Sequence, residues 1–304
     1  MAVEYKIYCI LSEGVVKDMN TYEVVTQRVI EAIETTKSLP WRRPWRTHNL
    51  KGKVPANLSS KKPYHGINVF LLSMMGFSSP YWVTFKQAKS LGGSVRKGEK
   101  GTPVIYWSIL EKRNDETKEI EKIPFIKHSM VFNVEQCEGL EVPADDSETI
   151  PVLSPIDSCE AIVKNFANKP KIVEREQQAY YRISDDTVNM PRRDSFESAE
   201  AMYDTLYHEL IHSCAHPSRL DRKIGTTLSF FGSESYSKEE LIAQMGSSFL
   251  CSIAGIDAAT FDDSVSYLQG WVSAFKEKPK MIIEAASQAQ KSVDYILNGK
   301  KKAS

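Results

Sequence analysis

The chain has 304 residues, 41% hydrophobic and 26% charged, enough for a buried core in each of about two domains and too apolar for a disordered protein. Its 39 basic and 39 acidic side chains cancel, which excludes a simple polycation, yet residues 1–140 hold 21 Lys and Arg against 14 Asp and Glu, and residues 141–304 hold 18 against 25. No apolar run approaches the roughly 20 residues of a membrane-spanning helix, and five cysteines without a CxxC pair argue for reduced thiols; the expectation is a cytoplasmic protein with no membrane partner.

In chain order, residues 1–20 read as a loosely attached leader. From Thr21 the stripe Val24, Val25, Val29, Ile30, Ile33 predicts a helix that fails at Leu39-Pro40. Trp41-Arg42-Arg43-Pro44-Trp45-Arg46 follows as an extended basic and aromatic segment, since its prolines forbid a helix. A helix is expected from Gly66 to Met75, a strand from Tyr81 to Phe85, a short helix from Lys86 to Leu91 stopped by Gly92-Gly93, and two strands, Pro103 to Leu110 and Ile123 to Val134, around a charged loop. Residues 141–155, with three prolines across 139–155 and the acids Glu141, Asp145, Asp146 and Glu148, read as a linker. Beyond it the pattern predicts helices over about 157–168, 196–215, 236–254, 263–277 and 280–298, with a β-like piece at Lys171 to Ile183.

The sharpest chemical signal is His208-Glu209-Leu210-Ile211-His212, an HExxH motif. At 3.6 residues per turn the two imidazoles share a helix face and can reach one zinc ion, while Glu209 lies about 100° round, placed to act as a base toward water. The competing reading is two core histidines beside a solvated acid. Asp194 and Glu197 are candidates to cap the start of this helix, and Pro217 ends it.

A third metal ligand has two candidates. His216 continues the i+4 spacing, but eight residues of helix rise about 12 Å, too far from His208 for one tetrahedral ion. Glu240, in Glu239-Glu240-Leu241-Ile242-Ala243-Gln244, is the stronger candidate; Gln244 shares its face at i+4 and could orient a ligating histidine. Ser237-x-x-Glu240 also reads as a capping box, which would give Glu240 a purely structural task.

Residues 37–100 carry 13 basic side chains against one acid, Glu99, and four of the five tryptophans (Trp41, Trp45, Trp82, Trp107) fall inside or just beyond that segment. Aromatic faces that stack on unpaired bases, with Lys and Arg along the phosphates, make a sequence-tolerant single-strand binder. Trp82, in an alternating strand, reads as core. Trp41, Arg42, Arg43, Trp45 and Arg46 are the candidates for DNA contact.

Tyr207 to His212, His216, Arg219-Leu220-Asp221-Arg222 and Glu239 to Ala243 resemble the zincin domain of ArdC-type antirestriction proteins. Trp41, Pro44-Trp45, Tyr64-x-Gly66-Ile67-Asn68, Tyr81-Trp82-x-Thr84-Phe85-x-Gln87-Ala88 and Gly92-Gly93-x-Val95-Arg96-Lys97-Gly98-Glu99-Lys100-Gly101 resemble the N-terminal half of the same family. The resemblance, from about 20 to 298, implies single-stranded-DNA binding by the N-terminal domain, a metallopeptidase fold similar to Spartan/SprT-like proteases, and protection of incoming mobile-element DNA from restriction. It adds Tyr64, Asn68, Arg96, Lys97 and Lys100 to the DNA-contact candidates. One departure stands out: Gln244 occupies a position where related sequences carry an acid.

The expected architecture is α+β in two domains: a single-stranded-DNA-binding domain over 21–140 and a mostly helical zincin-like domain over 156–304, with Zn²⁺ held by His208, His212 and Glu240 and Glu209 as the catalytic base. The partners expected are single-stranded DNA and, for the peptidase, a protein substrate or the protein itself. The rival reading is a DNA-coating protein whose zincin domain is folded but inert.

Overall fold

The structure is a computed structural model that describes residues 7–10, 16–37, 39, 54–113, 120–143, 155–222, 234–256 and 265–299. The fold is α+β, divided into two compact units: Met1–Glu31 with Val54–Pro143, and Ala32–Lys53 with Ala144–Ser304.

In the first unit, the segment read as a leader contains an antiparallel hairpin, β1 (Ile7–Ile10) and β2 (Val16–Met19). Helix α1 (Thr21–Thr36), whose residues from Ala32 on are counted with the second unit, starts from a reciprocal cap. The Asn20 side chain accepts from the Glu23 backbone N–H at 3.1 Å, and the Asn20 N–H donates to the Glu23 carboxylate at 2.8 Å. The stripe Val25, Val29, Ile30, Ile33 is buried as its spacing requires.

After β3 (Ala56–Asn57), α2 (Ile67–Ser73), β4 (Tyr81–Thr84), α3 (Phe85–Ser90) and β5 (Ser94–Val95) come the long strands β6 (Thr102–Arg113) and β7 (Ile120–Asn133), then β8 (Cys137–Glu138). A four-stranded sheet runs β3-β4-β7-β6, parallel between β3 and β4 and antiparallel elsewhere; β5 pairs with β8. The charged loop is shorter than expected, because the β6–β7 register continues outward to Arg113 opposite Ile120. Alternation sends neighbours on β4 to opposite faces. Trp82 packs with Leu72, Val104 and Val131 on one face, and Val83 with Leu58, Ala88 and Val134 on the other. Gly92, with φ +83°, turns the chain out of α3, and at Gly93 a Cβ would stand 2.6 Å from the Glu138 carbonyl oxygen, so no larger residue fits.

In the second unit, α4 (Pro155–Asn165) begins with proline in its first turn, where the missing N–H costs nothing. The β-like stretch resolves into β9 (Lys171–Val173) and β10 (Tyr180–Arg182), and a third strand, β11 (Thr187–Asn189), lies between them in the order β10-β11-β9. Three residues are too few to show alternation, and all three of β11 are buried. Helices α5 (Ala199–Ser213), α6 (Glu234–Ala254), α7 (Val265–Glu277) and α8 (Lys280–Asn298) complete the unit, with α6 packed on both α5 and α8. Among the described residues no helix is long and apolar enough to cross a membrane.

Candidate metal centre

Helix α5 carries the HExxH segment. Its N-cap is Ser198, whose hydroxyl accepts from the Ala201 N–H at 3.1 Å. The expected caps Asp194 and Glu197 do not serve: Asp194 sits in a preceding 3-10 turn and pairs with Arg192. Leu206, Tyr207, Leu210 and Ile211 turn into the core, and this anchors the helix so that His208 and His212 share the remaining face. The helix ends at Ser213, capped by Cys214.

At that face the structure brings together His208, His212 and Glu240, with one potential ligand atom from each lying within 4.8 Å of the others. The two Nε2 atoms are 3.1 Å apart and the rings meet edge to face, at 80°. Glu240 divides its carboxylate between them: Oε2 is 3.4 Å from His208 Nε2, and Oε1 is 3.4 Å from His212 Nε2. Glu240 lies in the second turn of α6, which begins at Glu234, three residues before Ser237. His216 does not join them. It lies beyond the end of α5, and its Nδ1 faces the Ser218 hydroxyl at 2.8 Å and accepts from the Ser218 N–H.

The other ring nitrogen of His212 meets a residue the sequence reading passed over. Nδ1 lies 3.4 Å from Glu239 Oε1, so the carboxylate on that side of His212 is Glu239; Gln244 is buried one turn beyond Glu240. Glu239 is in turn held by Arg222, whose Nη2 donates to Oε1 at 2.6 Å. Arg222 also donates to the Ile211 carbonyl oxygen at 2.9 Å and to the Ser292 hydroxyl of α8 at 2.6 Å. The only sequence signal for this wiring was the adjacency of two acids, Glu239-Glu240, of which a helix can aim each at a different neighbour.

The electrostatics follow from this crowding. Burial disfavours a charge on His212, yet Glu239, Glu240 and Glu209 around it raise its pKa to about 10. Burial likewise opposes ionisation of Glu240 and Glu239, but the imidazoles, and Arg222 for Glu239, hold both below the usual carboxylate range. Three carboxylates around two imidazoles attract positive charge, whether a proton or a metal ion. Two nitrogen donors and one carboxylate oxygen are also the donor set of an open catalytic zinc site, so the residues present fit a divalent cation.

The candidate DNA contacts separate. Trp41, Arg42, Arg43, Trp45 and Arg46 lie outside the described residues. Asn68 is occupied structurally: its amide donates to the Ile105 carbonyl at 2.7 Å and accepts from the Ile105 N–H at 2.8 Å, closing the exposed edge of β6. Tyr64 is half-buried, its hydroxyl accepting from Asn57, which also bonds Gln87 of the α3 capping box. Arg96 donates to the Glu135 carbonyl and pairs with Glu99, while Lys97 and Lys100 are both exposed. Trp82 is 2% exposed, and Tyr106 and Trp107 at the base of the β6–β7 ribbon are 46% and 58% exposed.

Residues 19–132 match the N-terminal domain of anti-restriction factor ArdC, and residues 157–288 match a zincin-like metallopeptidase domain. The crystal structure of the antirestriction ArdC protein from the R388 plasmid, metal-free, is 36% identical, covers 92% of this chain and 98% of its own, and superposes with a TM-score of 0.73; its Mn(II)-bound structure gives 0.71. The uncharacterized protein y4eC of Sinorhizobium fredii is 31% identical over 286 residues, 90% of this chain and 91% of that protein. The DNA primase TraC of Escherichia coli is 35% identical over 294 residues, and the chain spans 27% of its length. With both halves matched and a solved relative aligned over almost its full length, the chain belongs to the ArdC family of antirestriction proteins.

Proposed function

We propose that this protein binds single-stranded DNA through its N-terminal domain and carries a zinc metallopeptidase centre in its C-terminal domain, and that together they protect incoming mobile-element DNA from restriction. The observation that carries the reading is the convergence of His208, His212 and Glu240 on one point, with Glu209 buried beside them. His208, His212 and Glu240 hold the ion. When bound, a Zn²⁺ ion supplies Lewis acidity toward a peptide carbonyl and makes water acidic enough to attack at neutral pH. Glu209 takes the proton of the attacking water, and delivers it to the amine nitrogen as the C–N bond breaks. The family match to a zincin-like metallopeptidase and the Mn(II)-bound R388 ArdC structure support a divalent cation.

The DNA-binding half of the proposal rests on the 13-to-1 excess of basic residues over 37–100 and on exposed aromatic side chains such as Trp107. Structural duties leave Asn68 and Tyr64 as poor contacts, so the interface centres on Trp41 to Arg46, Lys97 and Lys100. The test compares wild type with Glu209→Ala for peptide cleavage, for oligonucleotide affinity, and for survival of transferred DNA in a restricting host. Loss of cleavage and protection with unchanged DNA affinity supports the peptidase. Full protection by Glu209→Ala would establish the DNA-coating alternative instead.

A further inference from the structure

We propose that Glu239 is a positioning residue of the metal centre: it fixes His212 in the tautomer that turns Nε2 toward the ion, and Arg222 holds Glu239 in that role. The proposal rests on the reading of His208, His212 and Glu240 as the metal ligands.

Metal binding by an imidazole needs one nitrogen with a free lone pair and the other protonated and anchored. His212 has its Nε2 in the triad and its Nδ1 3.4 Å from Glu239 Oε1. An ionised carboxylate only accepts, so a hydrogen bond between them requires the proton on Nδ1, and the neutral ring held this way presents its Nε2 lone pair to an ion. Glu239 is 8% exposed and cannot swing into solvent without losing its partners.

Its orientation is set from three helices. The Ser292 hydroxyl donates to the Gln288 carbonyl at 3.0 Å within α8, which leaves its oxygen to accept from Arg222 Nη1 at 2.6 Å. Arg222 Nη2 is shared by the Ile211 carbonyl of α5 and Glu239 Oε1 of α6. The guanidinium is planar, so fixing two of its nitrogens fixes the position of the Glu239 carboxylate. Ile211 directly precedes His212, so the same cation ties the backbone of the ligand to the acid that orients its ring. A purely structural ion pair would need Arg222 and Glu239 but would give Oε1 no reason to face an imidazole.

The experiment titrates Zn²⁺, and separately Mn²⁺, into the full-length chain under chelator competition. Wild type is compared with Glu239→Gln, Glu239→Leu, Arg222→Gln and the ligand control Glu240→Ala, each checked for native circular dichroism. The near-isosteric Glu239→Gln guards against failure of Glu239→Leu to fold. Expected is about a 10–100-fold weaker affinity in Glu239→Gln at unchanged stoichiometry, a larger loss in Glu239→Leu, and near-abolition in Glu240→Ala. In the Zn²⁺-loaded protein the His212 Nδ1–H should give a downfield, exchange-protected proton resonance in wild type and lose that protection in Glu239→Leu, or in Glu239→Gln if the leucine variant does not fold. Wild-type affinity in the folded Glu239 variants, with Glu240→Ala impaired, overturns the positioning role alone. Wild-type affinity in Glu240→Ala overturns the ligand assignment and the proposal with it.

Discussion

Gly246 of α6 lies directly against Ile211 of α5: a Cβ at Gly246 would stand 2.6 Å from Ile211 Cδ1 and 2.9 Å from its Cγ2. This close approach brings the two helices near enough for Glu240, less than two turns before Gly246, to reach the imidazoles flanking Ile211. Ile211 is fully buried and cannot yield cheaply. Gly246→Ala is therefore expected to destabilise the domain by about 1–3 kcal/mol through overpacking and to weaken metal binding by moving Glu240 away. Denaturant unfolding measures the first effect and metal titration the second; the double variant with Ile211→Ala should recover metal affinity. Wild-type values for both in Gly246→Ala would show that the contact does not position the site.

For the ligand set, one ion per chain is expected. His208→Ala and His212→Ala should abolish binding, Glu240→Ala should lose most of it, and His216→Ala should bind normally because His216 faces Ser218. Zinc should also raise the melting temperature of wild type, since a ligand bound only by the folded state stabilises it, and should leave His208→Ala unshifted. Differential scanning calorimetry with and without metal decides both points, and normal zinc binding by Glu240→Ala would reverse the choice of third ligand.

Arg219 offers a test of the scaffold beneath the site. Its guanidinium is wholly buried and donates to both Asp186 oxygens, to the Ser213 and Asn168 carbonyls and to the Tyr181 hydroxyl, tying the end of α5 to the β10–β11 turn. Asp186→Asn leaves that cation without its anion. Because Asp186 is partly exposed, the cost is discounted to about 2–3 kcal/mol, below the value for a fully buried pair.

The same pair sets a pH dependence. Burial opposes ionisation of Asp186, but Arg219 and Tyr181, with His216 nearby, hold its pKa below the ordinary carboxylate value. A depressed carboxylate contributes stability that is fully present above its unfolded pKa of about 4 and is lost as pH falls through the lower folded value. The stability difference between wild type and Asp186→Asn should accordingly be constant near neutrality and shrink in acid. A difference that stays constant to low pH would remove Asp186 as its source.

On the nucleic-acid side, two residues of the first unit should behave oppositely. Trp107→Ala, at an exposed position, is expected to leave stability unchanged and to weaken single-strand binding by about 1–3 kcal/mol if it stacks on a base. Asn68→Ala should leave DNA affinity unchanged and cost about 1–2 kcal/mol of stability by exposing the β6 edge. Fluorescence titration at two salt concentrations, paired with unfolding curves, separates the two. Affinity should also fall steeply with salt, as phosphate contacts release counterions.

The parts of this protein readable from its sequence are those set by local geometry. The one-turn offset of His208 and His212 is a property of any α-helix, and the apolar stripe of α1 and the glycines that stop α3 act within a few residues of themselves. Tertiary structure decided what depends on how elements meet. Ser198, not Asp194 or Glu197, caps α5; β11 exists because two other strands hold it; and Asn68 serves a strand 37 residues away. The placement of Glu239 against His212 turns on the rotation of α6 about its axis, set where Gly246 meets Ile211 and where Arg222 joins three helices. Adjacent carboxylates differ by about 100° of helix, and only the packing of α6 against α5 and α8 sets Glu239 against Nδ1 and Glu240 against Nε2 of the same ring.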